Sequence, residues 1–232
     1  MASFRFKSVD RENLGETIYG ALAEALIQGH LKPNDRVKIR DIAQQMETSV
    51  TPVRDAILRL VQDGAFVLKS PRDIRVRALA LSEYLEIRNI RGELEGFAAA
   101  EAARQAKAAD IGSLVSLVDE NEKALRARDS VRAIELNQAF HFELAKVAKL
   151  PILLDVLRRL WLPMGPLISQ FYDAGGRAMI DHHYPVVEAI RRGDCDAARQ
   201  AIREDIFLGG KVIYDLKMTE GENTSAAQHL AG

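Results

Sequence analysis

Cysteine is almost missing from this chain. Cys195 is the only one in 232 residues, so no internal disulfide forms, and a reducing compartment, the cytoplasm, is expected. Aromatic residues are scarce at 6%; with abundant Ala and Leu, that leans towards helix. Long apolar runs are lacking too. The longest uncharged stretch, Leu160 to Tyr172, is too short to span a bilayer and holds Pro163, Gly165 and Pro166. The opening residues, MASFRFKSVDREN, have no apolar h-region, so no signal peptide is expected, and no membrane partner. An excess of one charge is also missing: the net charge is −1. The charges are unevenly placed, however. Residues 1–80 hold 13 Lys+Arg and 10 Asp+Glu, a net +3, and the remainder holds 19 and 23, a net −4. That asymmetry gives modest support for DNA on the N-terminal side.

What is present begins with Ser49 to Asp63, SVTPVRDAILRLVQD. Val53, Ala56, Ile57 and Leu60 fall at helical spacing on one apolar face. Ser49 or Thr51 is placed to cap the helix, and Pro52 is tolerated because it lies in the first turn. Thr51 and Arg54 then point away from the core near the positive end of the helix dipole, where a hydroxyl and a guanidinium suit a phosphate or a guanine edge. Upstream, Ile39 to Met46 reads as a second short helix, and Glu47-Thr48 leaves room only for a tight turn. The pair forms a helix-turn-helix. Beyond Gly64, Phe66-Val67-Leu68 and Ile74-Arg75-Val76 read as two strands around Ser70-Pro71-Arg72-Asp73, a β-hairpin wing. Before it, Leu14 to Gln28 is a helix ended by Gly29, preceded by a loose arm, Met1 to Arg11.

From Leu81 to about Met218 the periodicity is helical throughout. Helices are expected at Ser82–Lys107, Asp110–Ala127, Ser130–Ala148, Pro151–Leu162, a broken piece near Leu167–Tyr172, Arg177–Arg192 and Asp194–Lys217. The breakers are Asp110, Asp129, Pro151, the Pro163–Pro166 cluster, Gly175-Gly176 and Gly193. The fold expected is mainly α: a winged helix-turn-helix over residues 1–80, an antiparallel all-α helical bundle over 81–218, and a disordered tail over 219–232.

The order of parts, SVTPVRDAILRL in a winged helix followed by an all-α domain opening with EIRNIRGELEGFAAAEAA, resembles the GntR superfamily of bacterial transcription factors. The likeness is to the FadR-like branch with the FCD ligand-sensing domain, over roughly residues 12–217. It implies a homodimer that binds a palindromic double-stranded DNA operator and is released or remodelled by a small carboxylic acid. DNA contacts would come from Arg40, Thr51, Pro52 and Arg54, with Ser49 at the helix start and Arg72 in the wing. Two positions depart from the family pattern: Val50 where Arg is frequent, and Asp73 where the wing tip usually has Gly.

Four of the expected helices carry polar groups on their apolar stripes: Arg91 with Tyr84 and Ala98; Asn137 and His141 with Ile134 and Leu144; His183 with Val186 and Val187; Asp205 with Ile202 and Leu208. Buried unpaired, such groups would cost several kcal/mol together, so they must satisfy one another or a ligand. Two imidazoles and a carboxylate suit a divalent transition metal such as zinc or nickel. The metal set is His141, His183 and Asp205 with Asn137, and Arg91 with Asn137 is the effector-binding pair, the guanidinium acting as a fork for a carboxylate. By resemblance, Asn137 stands where Asp is usual and Asp205 where His is usual. Arg88 reads as a surface or interface charge, His182 as exposed, and Trp161 and Phe171 as core or pocket wall. Two other readings stand beside the regulator: a metal-dependent enzyme using His141, His183 and Asp205, and a module whose winged helix binds protein rather than DNA.

Overall fold

The structure is a computed structural model that describes residues 14–70, 72–179 and 183–219. The expected arm, the tail from residue 220 onward and His182 lie outside the described residues. Thr219, expected in the tail, belongs to a helical stretch, 211–219.

Helix α1 (Leu14–Ile27) buries Ile18, Leu22 and Leu26 and is closed by Gly29 at φ +73°, a left-handed position that glycine takes without strain. Strand β1 (Arg36–Val37), α2 (Ile39–Gln45), α3 (Val50–Gln62), β2 (Phe66–Ser70) and β3 (Asp73–Val76) complete the N-terminal unit. The strands form an antiparallel sheet of order β1-β3-β2. The two-residue β1, paired through Arg36–Arg75 and Val37–Ile74, escapes sequence reading because two residues show no periodicity. In α3 the expected face, Val53, Ala56, Ile57 and Leu60, is buried against α1 and the sheet. Ser49 is the N-cap residue by backbone geometry, but its hydroxyl makes no capping bond, contrary to expectation. Asp73 accepts from Arg75 Nε at 3.0 Å and lies 3.6 Å from Arg36 Nε, so the carboxylate at the wing is neutralised by its neighbours.

The C-terminal bundle comprises α4 (Leu81–Gln105), α5 (Ala108–Ala127), α6 (Ser130–Val147), α7 (Pro151–Gly175), a 3₁₀ turn (Gly176–Met179), α8 (His183–Arg191) and α9 (Cys195–Gly209). Asp129, an expected breaker, and Asp194, the expected start of the last helix, are both N-caps: Asp129 accepts from Arg132 N and Asp194 from Ala197 N. Asp110 lies inside α5 and accepts from the backbone of Lys107. Three expectations need correction. First, α7 runs unbroken through Pro163 and Pro166. Each proline removes one helical hydrogen bond, yet Leu157, Trp161, Leu162, Met164, Leu167 and Ile168 are all buried, and packing on that scale outweighs the local preference. Second, Arg177–Met179, expected to be α-helical, lie in a 3₁₀ turn, and α8 is described from His183. Third, the last helix is interrupted at Gly210, and Leu208, expected on its inner stripe, is 49% exposed.

α4 is the central helix, packed against α9, α6, α8 and α7. Gly92 and Gly96 let α9 approach it: a Cβ on Gly92 would meet Phe207 at 3.1 Å, and one on Gly96 would meet Arg199 at 3.2 Å. The reader sits on the bundle through a second close approach. A Cβ at Gly165 of α7 would lie 2.2 Å from the Leu26 carbonyl and 2.5 Å from that of Ile27, at the end of α1. Ion pairs Arg158–Glu24 at 3.5 Å and His30–Glu135 at 3.3 Å flank it. Gly165→Ala is therefore expected to lower the melting temperature, with a cost of roughly 1–3 kcal/mol for overpacking against backbone. Gly112→Ala, on α5 with nothing within 4 Å, is expected to raise stability by about 0.5–1 kcal/mol. A thermal melt of the two variants side by side checks both.

Candidate ligand site in the helical domain and DNA-reading face

Arg91, Asn137, His141, His183 and Asp205, from four helices, meet inside the bundle. Their exposures are 4%, 5%, 3%, 0% and 3%. Arg91, Asn137, His141 and Asp205 line one small cavity of about 40 Å³ with Trp161, Met164, Ile168 and Arg88; His183 stands behind Asp205. That volume admits an ion with a water or two.

Glu95, one helical turn on from Arg91, is the hub of this cluster. It is fully buried, accepts from Arg91 Nε at 2.6 Å and lies 2.5 Å from His141 Nδ1. Burial alone pushes a carboxyl up; the Arg91 guanidinium and His141 overcome it and hold Glu95 at about 2. An ionised carboxylate only accepts, so His141 Nδ1 carries a proton directed at Glu95, and Nε2 is the ring atom turned toward Asp205. That Nε2 is 3.4 Å from Asp205 Oδ2, and His183 Nε2 is 3.3 Å from Asp205 Oδ1. Burial also pushes Asp205 up, and the two imidazoles pull it down further than burial lifts it. The signal for Glu95 was present in the sequence: it lies one helical turn from Arg91, on the same inward face.

Four buried polar atoms of the cluster have no hydrogen-bond partner: Asn137 Oδ1, both ring nitrogens of His183, and Asp205 Oδ1. His183 Nε2 and Asp205 Oδ1 are close but not aligned as donor and acceptor. His141 Nε2 and Asp205 Oδ2 face each other at 3.4 Å, a contact that a proton on Nε2 or a cation between the two atoms satisfies. One donor atom from each of His141, His183 and Asp205 lies within 4.8 Å of the other two, and ligands on a shared zinc-like ion stand about 3–3.5 Å apart. The residues therefore fit a divalent ion. Glu95 would then be the carboxylate that orients a ligating histidine. Phe140 stacks on the His183 ring at 4.3 Å, and Arg91 lies over Trp161 at 4.2 Å, so the rings are held in place by packing.

Arg88 needs correction. It does not stand as a plain surface charge: it lines the cavity, and its Nε is buried without a partner. Trp161 is pocket wall and Phe171 is buried core.

On the reader, Arg40, Ser49, Thr51, Arg54 and Arg72 are exposed and Pro52 is partly so. The guanidinium groups of Arg40 and Arg54 have no ion-pair partner among the described residues.

The fold defines a transcriptional regulator with a winged helix-turn-helix and a helical C-terminal domain that holds this site. Residues 14–76 match the bacterial regulatory proteins of the gntR family and residues 86–207 match the FCD domain. The chain belongs to the FCD-bearing GntR family, whose members are DNA-binding regulators rather than enzymes. It is 29% identical over 197 residues to the HTH-type transcriptional regulator McbR of Escherichia coli (strain K12), covering 83% of this chain and 89% of that one. The solved structure of E. coli McbR/YncC superposes with a TM-score of 0.81 at 28% identity, over 88% of this chain and 98% of that chain. A putative GntR regulator from Rhodococcus sp. RHA1 gives a TM-score of 0.71 at 18% identity, over 86% and 97%; it shares the fold. No helix among the described residues is long and apolar enough to cross a membrane.

Two outcomes are expected. Arg54→Ala weakens operator binding by about 1–3 kcal/mol in a gel shift if the guanidinium reads a base edge; an unchanged affinity removes that role. Glu95→Ala leaves Arg91 buried and unpaired and lowers stability by roughly 3–5 kcal/mol in urea unfolding.

Proposed function

We propose that this regulator is a homodimer whose affinity for a palindromic operator is set by a small carboxylic acid bound in the helical domain, with a divalent transition metal, zinc or nickel, at the same place. The reader would span residues 1–80 and the sensor 81–218, and the protein would act in the cytoplasm. The observation that carries this reading is the convergence of Arg91, Asn137, His141, His183 and Asp205 in one buried cluster with unsatisfied polar atoms. His141, His183 and Asp205 would hold the metal, with Asn137 as a fourth ligand or as a hydrogen bonder to the effector. A bound metal would supply a positive point to anchor an effector oxygen. Arg91 would orient the acid while Glu95 keeps His141 in the tautomer that presents Nε2.

The route to DNA is supported by α7. Trp161, Met164 and Ile168 form cavity wall, and Gly165 of the same helix presses on the end of α1. An acid larger than the present cavity enters only if α7 or α9 yields, and movement of α7 displaces the reader. Coupling of this kind is typically 1–3 kcal/mol, a change of roughly 5- to 150-fold in operator affinity. Two reading helices in a dimer would share one palindrome, so their spacing is what the effector changes.

Elemental analysis of tag-free protein is the direct test. About one equivalent of zinc or nickel per chain is expected, with a metal-dependent rise in melting temperature that His141→Ala abolishes. Less than about a tenth of an equivalent, and no rise on adding either metal, overturns the metal. A panel of small carboxylic acids that neither shifts the melt nor changes operator retardation overturns the effector.

A further inference from the structure

The cavity holds a second guanidinium whose charge is not spent inside the protein. Arg91 gives its Nε to Glu95 and its face to Trp161. Arg88, one turn earlier on the same helix, has no carboxylate partner among the described residues. Its Nε is buried and unpartnered, and its guanidinium is held between two rings, 4.9 Å from the centre of Phe207 and 5.7 Å from that of Tyr84. The Tyr84 hydroxyl donates to the Gly210 carbonyl at 2.8 Å, and its oxygen faces Arg88 as a neutral acceptor that leaves the guanidinium charge unbalanced. Across the cavity, Trp161 Nε1 is a buried donor that also lacks a partner. A half-buried cation and an idle buried donor facing one space are costly unless an acceptor with negative charge fills it.

The charges make the same point. Arg91 and Glu95 cancel. Asp205 is matched by the imidazoles around it, or by a metal. Among the described residues, Arg88 is the positive charge left over. Arg88 is half-buried and the histidine cluster fully buried, so Arg88 stands at the outer side and the cluster at the deep side. Residues three apart on a helix lie about 5–6 Å from each other at Cβ, so anything that touches both ends of so small a space is short.

Resting on the carboxylate-effector reading, we propose that Arg88 receives a second anionic group of the effector, with Trp161 Nε1 donating to it. The ligand class is then a short dicarboxylate, one acid group at the Arg91–Asn137 end beside the metal-holding residues and the other at Arg88. A guanidinium matches a carboxylate in two hydrogen bonds, which sets the preference for two acid groups over one.

The test uses the full-length protein, wild type against Arg88→Leu and Arg88→Lys, titrated calorimetrically with malonate, succinate, acetate and propionate. Wild type is expected to bind the better diacid at least about tenfold tighter than either monoacid, the scale of one charge-assisted hydrogen bond. In Arg88→Leu that ratio falls to about one while monoacid affinity is little changed, and Arg88→Lys keeps part of it. A thermal melt reports whether Arg88→Leu is folded; if it is not, Arg88→Gln takes its place with the same expectation. A diacid preference that survives loss of the guanidinium, or a wild type that binds monoacids and diacids equally, overturns the role of Arg88 and leaves the effector reading standing. No binding of any of the four acids, together with an operator affinity that none of a wider panel of acids changes, overturns the effector reading itself.

Discussion

A carboxylate with no access to water governs the sensing domain. Glu95 is completely enclosed and is ionised only because Arg91 and His141 both donate to it. Remove either and the remaining charge sits in a medium where solvation is lost and nothing replaces it. The dependence spreads outward. His141 of α6 and His183 of α8 both bring Nε2 close to Asp205 of α9, at 3.4 and 3.3 Å. Hydrogen bonds through Glu95 tie α4 to α6, and polar groups from α8 and α9 gather beside them. Ligand chemistry and helix packing are the same contacts in this domain, so a change in one is felt as a change in the other.

Glycine makes those contacts reachable. Gly92 and Gly96 remove side chains between α4 and α9, which lets α9, the helix that carries Asp205, lie close against α4. Gly165 does the same between α7 and α1, with backbone against backbone. At that distance there are no flexible side chains to absorb a shift. Trp161, Met164 and Ile168 of the cavity wall and the glycine that bears on the reader belong to one continuous helix, α7, so cavity and reader share that element.

The sequence showed the periodic features well. The apolar face of α3 and the inward stripe through Asn137, His141 and Leu144 follow from 3.6-residue spacing alone, because each residue's direction on a helix is set by its neighbours. The same spacing placed Arg91, His183 and Asp205 inward. It did not rank Glu95 above a partner charge, since burial depends on what covers a helix face. It misplaced Arg88 for the same reason. The expected break at Pro163–Pro166 failed because local preference, about 3 kcal/mol per proline, was set against a buried helix surface that is large only once the bundle is assembled.

By itself, then, the chain's order of residues determined the kinds of element, their sequence along the chain, and which side chains turn inward: these are properties of short segments. Only the tertiary structure decided that the inward groups converge on one cavity, that Glu95 rather than solvent satisfies Arg91 and His141, and that α7 stays whole and touches both the cavity and the reader. Those outcomes depend on distances between segments far apart in the chain, and no local pattern encodes a distance.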